Sequence, residues 1–133
     1  MPLVVDASAC ACWALDDENH PVADAALAHA QAEEVVVPSL WWFEIRNLMV
    51  SAERRKRSTV EKTNAFLGEL RKLNIAIDRY PNELVIFRLA RTHRLTVYDA
   101  AYLELAMRGG VPLATLDRAL AAAARAERVA LVE

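Results

Sequence analysis

The sequence predicts a three-layer α/β protein, in which helices cover both faces of a parallel β-sheet. Short apolar runs alternate along the chain with longer segments of helical character. The runs are apolar throughout, as in strands buried on both faces, whereas an antiparallel strand with one wet face would alternate apolar and polar residues. A length of 133 residues without linker or internal repeat fits one domain, which we expect to span residues 1–133.

Five strands are predicted from these apolar runs. Each run is three or four residues long, is rich in Val, Ile or Leu, and ends at a polar residue or a proline, as is typical of buried strands. The predicted strands cover residues 3–5, 35–37, 75–77, 112–115 and 129–132.

Helix signals separate the strands. Pro81 suits the first turn of a helix, because its missing N–H is not needed there. Ser39, Ser58 and Thr96 stand where an N-capping hydroxyl is expected, the last two with an acid three residues later. The predicted helices cover residues 6–15, 21–33, 39–57, 58–73, 81–93, 96–107 and 117–127.

Composition excludes several classes of protein. With 55% hydrophobic and 26% charged residues the chain is ordinary for a globular protein and too apolar for a disordered one. No charge-free run approaches the roughly 20 residues of a membrane span, and no signal peptide is expected. Cys10 and Cys12 are the only cysteines and are too close in sequence to form a disulfide framework. We therefore expect a cytoplasmic protein with no membrane partner.

The net charge of −2 conceals a strong asymmetry. The first 53 residues carry nine acids and one base, whereas residues 54–94 carry eleven bases and four acids. Such a separation indicates an anionic partner. The basic run Arg54-Arg55-Lys56-Arg57 is a candidate RNA-binding segment, although it could also be a solvated helix end or meet an acidic segment of a protein partner.

Four carboxylates are predicted to meet near one edge of the sheet. Asp6 follows the first strand, Asp117 follows the fourth, and Asp99 opens the helix before the fourth. Glu44 lies in the most apolar helix, where an isolated charge would be costly. Carboxylates that converge repel one another, and a hard divalent cation relieves this repulsion. All-oxygen ligands favour Mg²⁺ or Mn²⁺ over zinc, and one or two such ions can activate a water for phosphodiester cleavage.

Each acid also has a simpler interpretation. Asp6 and Asp117 are suited to cap the helices that follow them, and Asp99 is the last residue of a capping box opened by Thr96. Glu44 could end at the surface. Capping explains each residue singly but does not explain why all four would lie together.

Four segments resemble the motifs of PIN-domain proteins, and specifically of VapC-type toxin ribonucleases. Their order and spacing match that family along essentially the whole chain. They are Val4-Val5-Asp6-Ala7-Ser8-Ala9, Phe43-Glu44-Ile45-Arg46-Asn47, Tyr98-Asp99-Ala100-Ala101-Tyr102-Leu103-Glu104-Leu105-Ala106 and Ala114-Thr115-Leu116-Asp117.

The resemblance implies a five-stranded parallel sheet of order 3-2-1-4-5 and an endoribonuclease that depends on Mg²⁺ or Mn²⁺. It implies that the four acids are the catalytic and metal-binding residues. Ser8 and Thr115 match polar positions that support such a site, and Asn47 is a further candidate one turn after Glu44. Some relatives carry another acid shortly after the last motif Asp. Arg118, Ala119 and Leu120 stand there instead, which leaves the number of metal ions open.

The resemblance also implies partners. Proteins of this type are toxins of type II toxin–antitoxin modules, form homodimers and are neutralised by a VapB-type antitoxin, in some cases within a larger assembly. Trp41 and Trp42 are adjacent, so we expect one in the core and the other near a partner groove or dimer interface.

Two other classes of protein remain as alternatives. One is a non-catalytic PIN-like module that binds RNA or protein, although the presence of all four acids disfavours it. The other is a receiver-like phosphoacceptor domain built around Asp78. That chemistry needs an acidic pair after the first strand and a late lysine, whereas Asp6 has no acidic neighbour and the last lysine is Lys72.

Overall fold

A computed structural model describes residues 1–15 and 17–133 of the chain. Within these residues four strands alternate with seven helices, in the order that the apolar runs predict. The elements are β1 (Leu3–Val5), α1 (Ala7–Ala14), α2 (Pro21–Ala32), β2 (Val35–Pro38), α3 (Leu40–Arg54), α4 (Val60–Arg71), β3 (Ile75–Asp78), α5 (Glu83–His93), α6 (Val97–Gly109), β4 (Leu113–Ala114) and α7 (Arg118–Ala126).

The sheet is parallel, with strand order β3-β2-β1-β4. Its central strand β1 is completely buried, as its unbroken apolar sequence predicts. Helix α1 contacts α2, α3 and α4, whereas α5, α6 and α7 form a second group of contacting helices, of which α6 packs against β1, β2 and β4. The predicted three-layer α/β architecture is therefore confirmed, and the carboxyl ends of β1 and β4 lie side by side at one edge of the sheet.

The predicted fifth strand is wrong. Residues 129–132 make one parallel bridge, between Leu131 and Leu113. Strand β4 is only two residues long, and Leu113 alone directs its backbone N–H and C=O away from β1, toward Ala130 and Val132. The carbonyls of its neighbours Pro112 and Ala114 face β1 instead. Too few backbone groups therefore remain to extend a fifth strand, and the sheet has four strands rather than five.

At three helix starts the structure differs in detail from the prediction, although Ser39 does precede α3 as predicted. Ser39 itself has helical backbone angles, so its hydroxyl makes no capping bond to α3. Thr59, not Ser58, caps α4 by accepting from the N–H of Lys62. Helix α5 begins two residues after Pro81, because the side chain of Asn82 supplies the cap by accepting from the N–H of Val85 at 3.1 Å.

One of the two tryptophans lies in the core, as predicted, and the other lies at the surface. Trp41 is buried and donates its indole N–H to the sulfur of buried Cys10 at 3.3 Å. Trp42 is 44% exposed, and the guanidinium of Arg46 lies 3.9 Å from its ring centroid. No helix of the described residues is long and apolar enough to cross a membrane.

Candidate active site

Asp6 is the most deeply buried acid at the carboxyl edge of the sheet. It follows β1 directly and is only 4% exposed. Its Oδ1 accepts from the hydroxyl of Ser8 at 2.6 Å and from the backbone N–H of Ala9 at 3.0 Å, and its Oδ2 accepts from the hydroxyl of Thr115. Burial raises the pKa of Asp6, the charge of Asp117 adds to the rise, and the three hydrogen bonds oppose it. The hydrogen bonds therefore hold the carboxylate of Asp6 in position, whereas its burial disfavours the charged form.

Two hydroxyl groups connect Asp6 to the loop between β4 and α7. The Oγ of Ser8 accepts from the backbone N–H of Leu116 at 3.1 Å, and the Oγ1 of Thr115 accepts from that of Asp117 at 3.0 Å. Asp117 in turn accepts from the N–H of Leu120 at 2.9 Å and so caps α7. The ends of two neighbouring strands are thus joined by side chains, with one carboxylate on each.

Glu44 reaches the same region from α3. Its Oε1 accepts a hydrogen bond of 2.6 Å from the hydroxyl of Tyr102 on α6. Burial raises the pKa of Glu44, the tyrosine bond opposes this, and the negative charges of Asp99 and Asp6 raise it further. The sequence analysis assigned no role to Tyr102. The signal available was its position three residues after Asp99, which places both side chains on one helical face.

Asp99 lies in the first turn of α6. Thr96, not Asp99, provides the cap, because its hydroxyl oxygen accepts from the backbone N–H of Asp99 at 3.0 Å. Burial raises the pKa of the Asp99 carboxyl, and the nearby charges of Asp117 and Asp6 raise it further. The negative charges of Asp117 and Asp6 therefore act on Asp99 from two other parts of the fold.

All four acids line one cavity of about 260 Å³. The wall also includes Ser8 and Asn47 from the predicted supporting residues, whereas Thr115 lies behind Asp6 as its hydrogen-bond donor. The complete lining is Asp6, Ala7, Ser8, Glu44, Asn47, Leu48, Asp99, Tyr102 and Asp117.

The carboxylate oxygens that line the cavity are of the ligand type that hard divalent cations prefer. The titratable ligands around the cavity are carboxylates, and the pKa values of three of them are raised in part by mutual repulsion. A cation would relieve that repulsion. Within residues 1–15 and 17–133, however, no three acidic, His or Cys side chains are gathered closely enough to surround one ion. The residue types fit Mg²⁺ or Mn²⁺, and their side chains are not drawn together around a single point.

The predicted RNA-binding segment lies outside the cavity. Residues 54–57 are exposed where α3 ends, and none of them lines the acidic cavity. Arg57 is engaged elsewhere, since its guanidinium contacts Glu18 at 2.5 Å and Asp17 at 3.3 Å. Arg54, Arg55 and Lys56 make no ion pair with any described residue. The four cations are therefore not equivalent, and three of them are available to an anionic partner.

A second large cavity carries no comparable chemistry. It has a volume of about 380 Å³ and lies between α1, α2 and α4, with a mainly apolar wall that includes Trp13, Leu27 and Phe66. Its charged residues, Lys62 and Glu69, are one of each sign. The acidic cavity is accordingly the candidate catalytic site, and the apolar cavity is a candidate contact surface.

Fold, site geometry and sequence together define the class of this protein. The PIN domain matches residues 3–126, and the chain belongs to the PIN-domain family. A relative from Pyrobaculum aerophilum, ribonuclease VapC3, is 37% identical over 124 residues, which cover 91% of this chain and 93% of the relative. The resemblance to VapC-type PIN-domain proteins that the four motif segments indicate is thereby confirmed.

Solved structures share the same fold. The crystal structure of PAE2754 from Pyrobaculum aerophilum superposes with a TM-score of 0.69 at 25% identity, over 92% of this chain and 84% of that protein. FitAcB from Neisseria gonorrhoeae gives a TM-score of 0.64 at 16% identity, over 98% of this chain and 96% of that one. The second likeness concerns the fold alone.

Proposed function

We propose that this protein is the toxin component of a type II toxin–antitoxin module and acts as a metal-dependent endoribonuclease. One observation carries the proposal: four carboxylates from separate elements line a single cavity at the carboxyl edge of a parallel sheet. The relationship to ribonuclease VapC3 supports the choice of RNA as substrate. We expect the protein to act in the cytoplasm, where that substrate is found.

Asp6, Glu44, Asp99 and Asp117 would together hold Mg²⁺ or Mn²⁺. When bound, such an ion supplies positive charge to a phosphodiester oxygen and lowers the pKa of a water. Asp6 cannot rotate freely, since three hydrogen bonds hold its two oxygens, so it gives the site a fixed point. A preorganised carboxylate avoids reorganisation as the reaction proceeds.

The remaining wall of the cavity suits a phosphate-bearing substrate. Asn47 is exposed and lines the cavity, so its amide can donate to a phosphate oxygen. Ala7 and Leu48 contribute apolar surface to the same wall. We assign Ser8 and Thr115 to support Asp6, because their hydroxyls donate to its carboxylate.

Basic side chains beyond the cavity are proposed to hold the RNA backbone. Arg54, Arg55 and Lys56 are exposed at the end of α3, the helix that also carries Glu44. Contacts of this kind give affinity that depends on salt and little choice of sequence. RNA bound along α3 would therefore be led from a basic end toward the acidic cavity.

Exposed apolar residues support the proposed protein partners, a VapB-type antitoxin and a second copy of the chain. Phe43 on α3 and Leu84 on α5 are 70% and 79% exposed, and the apolar cavity beside Phe66 adds a concave surface. The exposed side chains on α3 and α5 and this concave surface are separate candidate contact sites for other proteins. Light scattering is expected to give the mass of a homodimer for the chain alone and a larger complex with the antitoxin.

Substitution of the acids tests the catalytic assignment. Asp6→Asn and Asp99→Asn remove charge with little change of shape, so folded variants are expected to cut RNA at least about 100-fold more slowly with Mg²⁺ or Mn²⁺. Both are also expected to abolish growth arrest on expression. Asp24→Asn is the matched control, because Asp24 is exposed on α2 and lies outside the cavity. Folded acid variants as active and as toxic as the wild type would contradict the mechanism.

A non-catalytic binding module is the second candidate. The side chains around the cavity are not drawn together around one point among the described residues, and a binding module would tolerate that spread. It predicts that RNA is bound but left intact across a broad panel with either metal. Any cleavage that Asp6→Asn abolishes would exclude this candidate.

A further inference from the structure

The hydroxyl of Tyr102 is a polar group on a buried side chain of α6, in a stretch where Glu104 is the other buried polar residue. Tyr102 is 1% exposed, and the neighbouring residues Ala101, Leu103 and Leu105 are buried too. A buried hydroxyl without a partner destabilises the fold, whereas phenylalanine would fill the same space without that penalty. The hydroxyl makes one hydrogen bond among the described residues, to Oε1 of Glu44 at 2.6 Å. Its presence is therefore connected with Glu44 and not with packing.

The carboxylate of Glu44 has fewer hydrogen-bond donors than that of Asp6. Asp6 is held by three donors and Asp117 by the N–H of Leu120. Glu44 has a longer side chain with more rotatable bonds, and the hydroxyl of Tyr102 is the one donor that its carboxylate meets in the described part of the chain. Without it, the carboxylate would be free to turn from the cavity toward solvent.

We propose that Tyr102 is a positioning residue, whose hydroxyl holds Glu44 in the acidic cavity and leaves Oε2 of that carboxylate available to a divalent cation. Asp99 and Tyr102 are three residues apart on α6, so one helical face presents an acid and also positions a second acid from α3. This inference rests on the proposed function, because it assumes that the cavity binds a cation.

Metal affinity measured without RNA tests the inference. Tyr102→Phe keeps the ring and removes the donor, so we expect Mn²⁺ to bind roughly tenfold more weakly by titration calorimetry, as is usual when support for a ligand is lost. Tyr98→Phe is the matched control, since Tyr98 lies on the same helix and is 64% exposed. The affinity of the Tyr98→Phe variant for Mn²⁺ is expected to stay within about twofold of that of the wild type. An unchanged affinity in folded Tyr102→Phe would overturn the inference.

A double-mutant cycle separates positioning from a general structural effect. In a Glu44→Ala background the hydroxyl has no carboxylate to hold, so adding Tyr102→Phe is expected to change the affinity for Mn²⁺ less than about twofold. Independent, multiplicative losses from the two changes would overturn the inference. If Tyr102→Phe does not fold, as judged by the loss of a cooperative melting transition, Glu44→Asp replaces it in the test. The shorter acid breaks the same hydrogen bond, and an affinity for Mn²⁺ equal to that of the wild type would overturn the inference.

The wild-type titration distinguishes failure of this inference from failure of the proposed function. Wild-type protein that binds no Mn²⁺ would overturn the proposed metal site and the role of Tyr102 together. Wild-type protein that binds Mn²⁺ but is indifferent to Tyr102→Phe would overturn only the role of Tyr102 and leave the metal site in place.

Discussion

Asp6 shows that capping a helix and lining a functional cavity are compatible roles for one side chain. Its Oδ1 accepts from the N–H of Ala9 and so caps α1, while its Oδ2 accepts from Thr115 at the other side. Asp117 combines the same two features, since it caps α7 and lines the cavity. The capping interpretation is therefore correct for both acids, and it is compatible with their position in one cavity.

Thr115 is the residue whose loss should uncouple the two strand ends. Thr115→Val keeps the shape but removes the donor to Asp6 and the acceptor for the N–H of Asp117. We expect the free energy of unfolding to fall by about 1–3 kcal/mol, because buried polar groups lose their partner. Urea denaturation measures the change.

Thr92→Val is the control for that experiment. Thr92 is exposed near the end of α5, so the same chemical change there is expected to alter stability by less than about 0.5 kcal/mol. Equal effects of the two substitutions would show that the hydroxyl of Thr115 contributes nothing specific.

At the scale of elements, α6 makes more contacts with distant parts of the chain than its sequence suggests. Its first turn holds Asp99, its middle holds Tyr102, and buried Glu104 binds Arg108 at 2.8 Å and the backbone N–H of Asn82 at 3.1 Å. Arg108 also makes two bonds to Asp78 at the end of β3. One helix therefore positions the cavity and connects it to the edge strand and to the start of α5.

A second ionic cluster joins α5 to the end of α7. Glu127 accepts from Arg88 at 3.0 Å and lies 2.6 Å from His93, and these contacts lower the pKa of Glu127 to about 2. His93, in the last turn of α5, is mostly buried here. The cluster connects two helices on the same side of the sheet.

The stability supplied by Glu127 is expected to disappear in acid. A carboxyl with a depressed pKa binds fewer protons when folded, so its contribution is complete above about pH 5 and is lost as the pH falls toward 2. Glu127→Gln should lower the free energy of unfolding by about 1–2 kcal/mol at pH 7 and by much less near pH 2.5. Denaturant unfolding at both values measures this.

Glu69→Gln provides the comparison for the acid experiment. Glu69 pairs with Lys72, but both side chains are more than two thirds exposed, so little change is expected at either pH. A difference between Glu127→Gln and the wild type that persists undiminished at pH 2.5 would contradict the assignment.

At the scale of the whole molecule, the near-neutral net charge hides separate acidic and basic regions. The carboxylates gather in one cavity, and a divalent cation there would partly neutralise them. The end of α3 carries Arg54, Arg55 and Lys56, which make no ion pair with any described residue. An RNA backbone can approach such a surface in spite of the overall charge of −2.

Removal of two of these cations tests the RNA path. The double variant Arg54→Gln/Arg55→Gln is expected to bind RNA about tenfold more weakly at low salt, and the slope of affinity against salt should fall by nearly two. Filter binding across a salt series measures both quantities. Arg125→Gln/Arg128→Gln removes equal charge near the end of α7 and serves as the control, and identical losses in both variants would contradict a specific path.

The sequence by itself determined the class of fold, the family and the identity of the candidate acids. Buried strands, helix caps such as Thr96 and the four motif segments are local patterns, and local backbone chemistry produces them. The order of the four observed strands followed as well. The roles of the acids stay predictions, since geometry places them together without testing what they do.

Only the tertiary structure decided the features that depend on residues distant in sequence. Tyr102 and Glu44 are 58 positions apart, so no local pattern could reveal their hydrogen bond. The fifth strand failed for a similar reason, because a strand exists only where a neighbour offers backbone groups, and β4 offers those of Leu113 alone. The β-propensity of a local sequence predicts a strand, but the strand forms only if hydrogen-bond partners elsewhere in the chain are available.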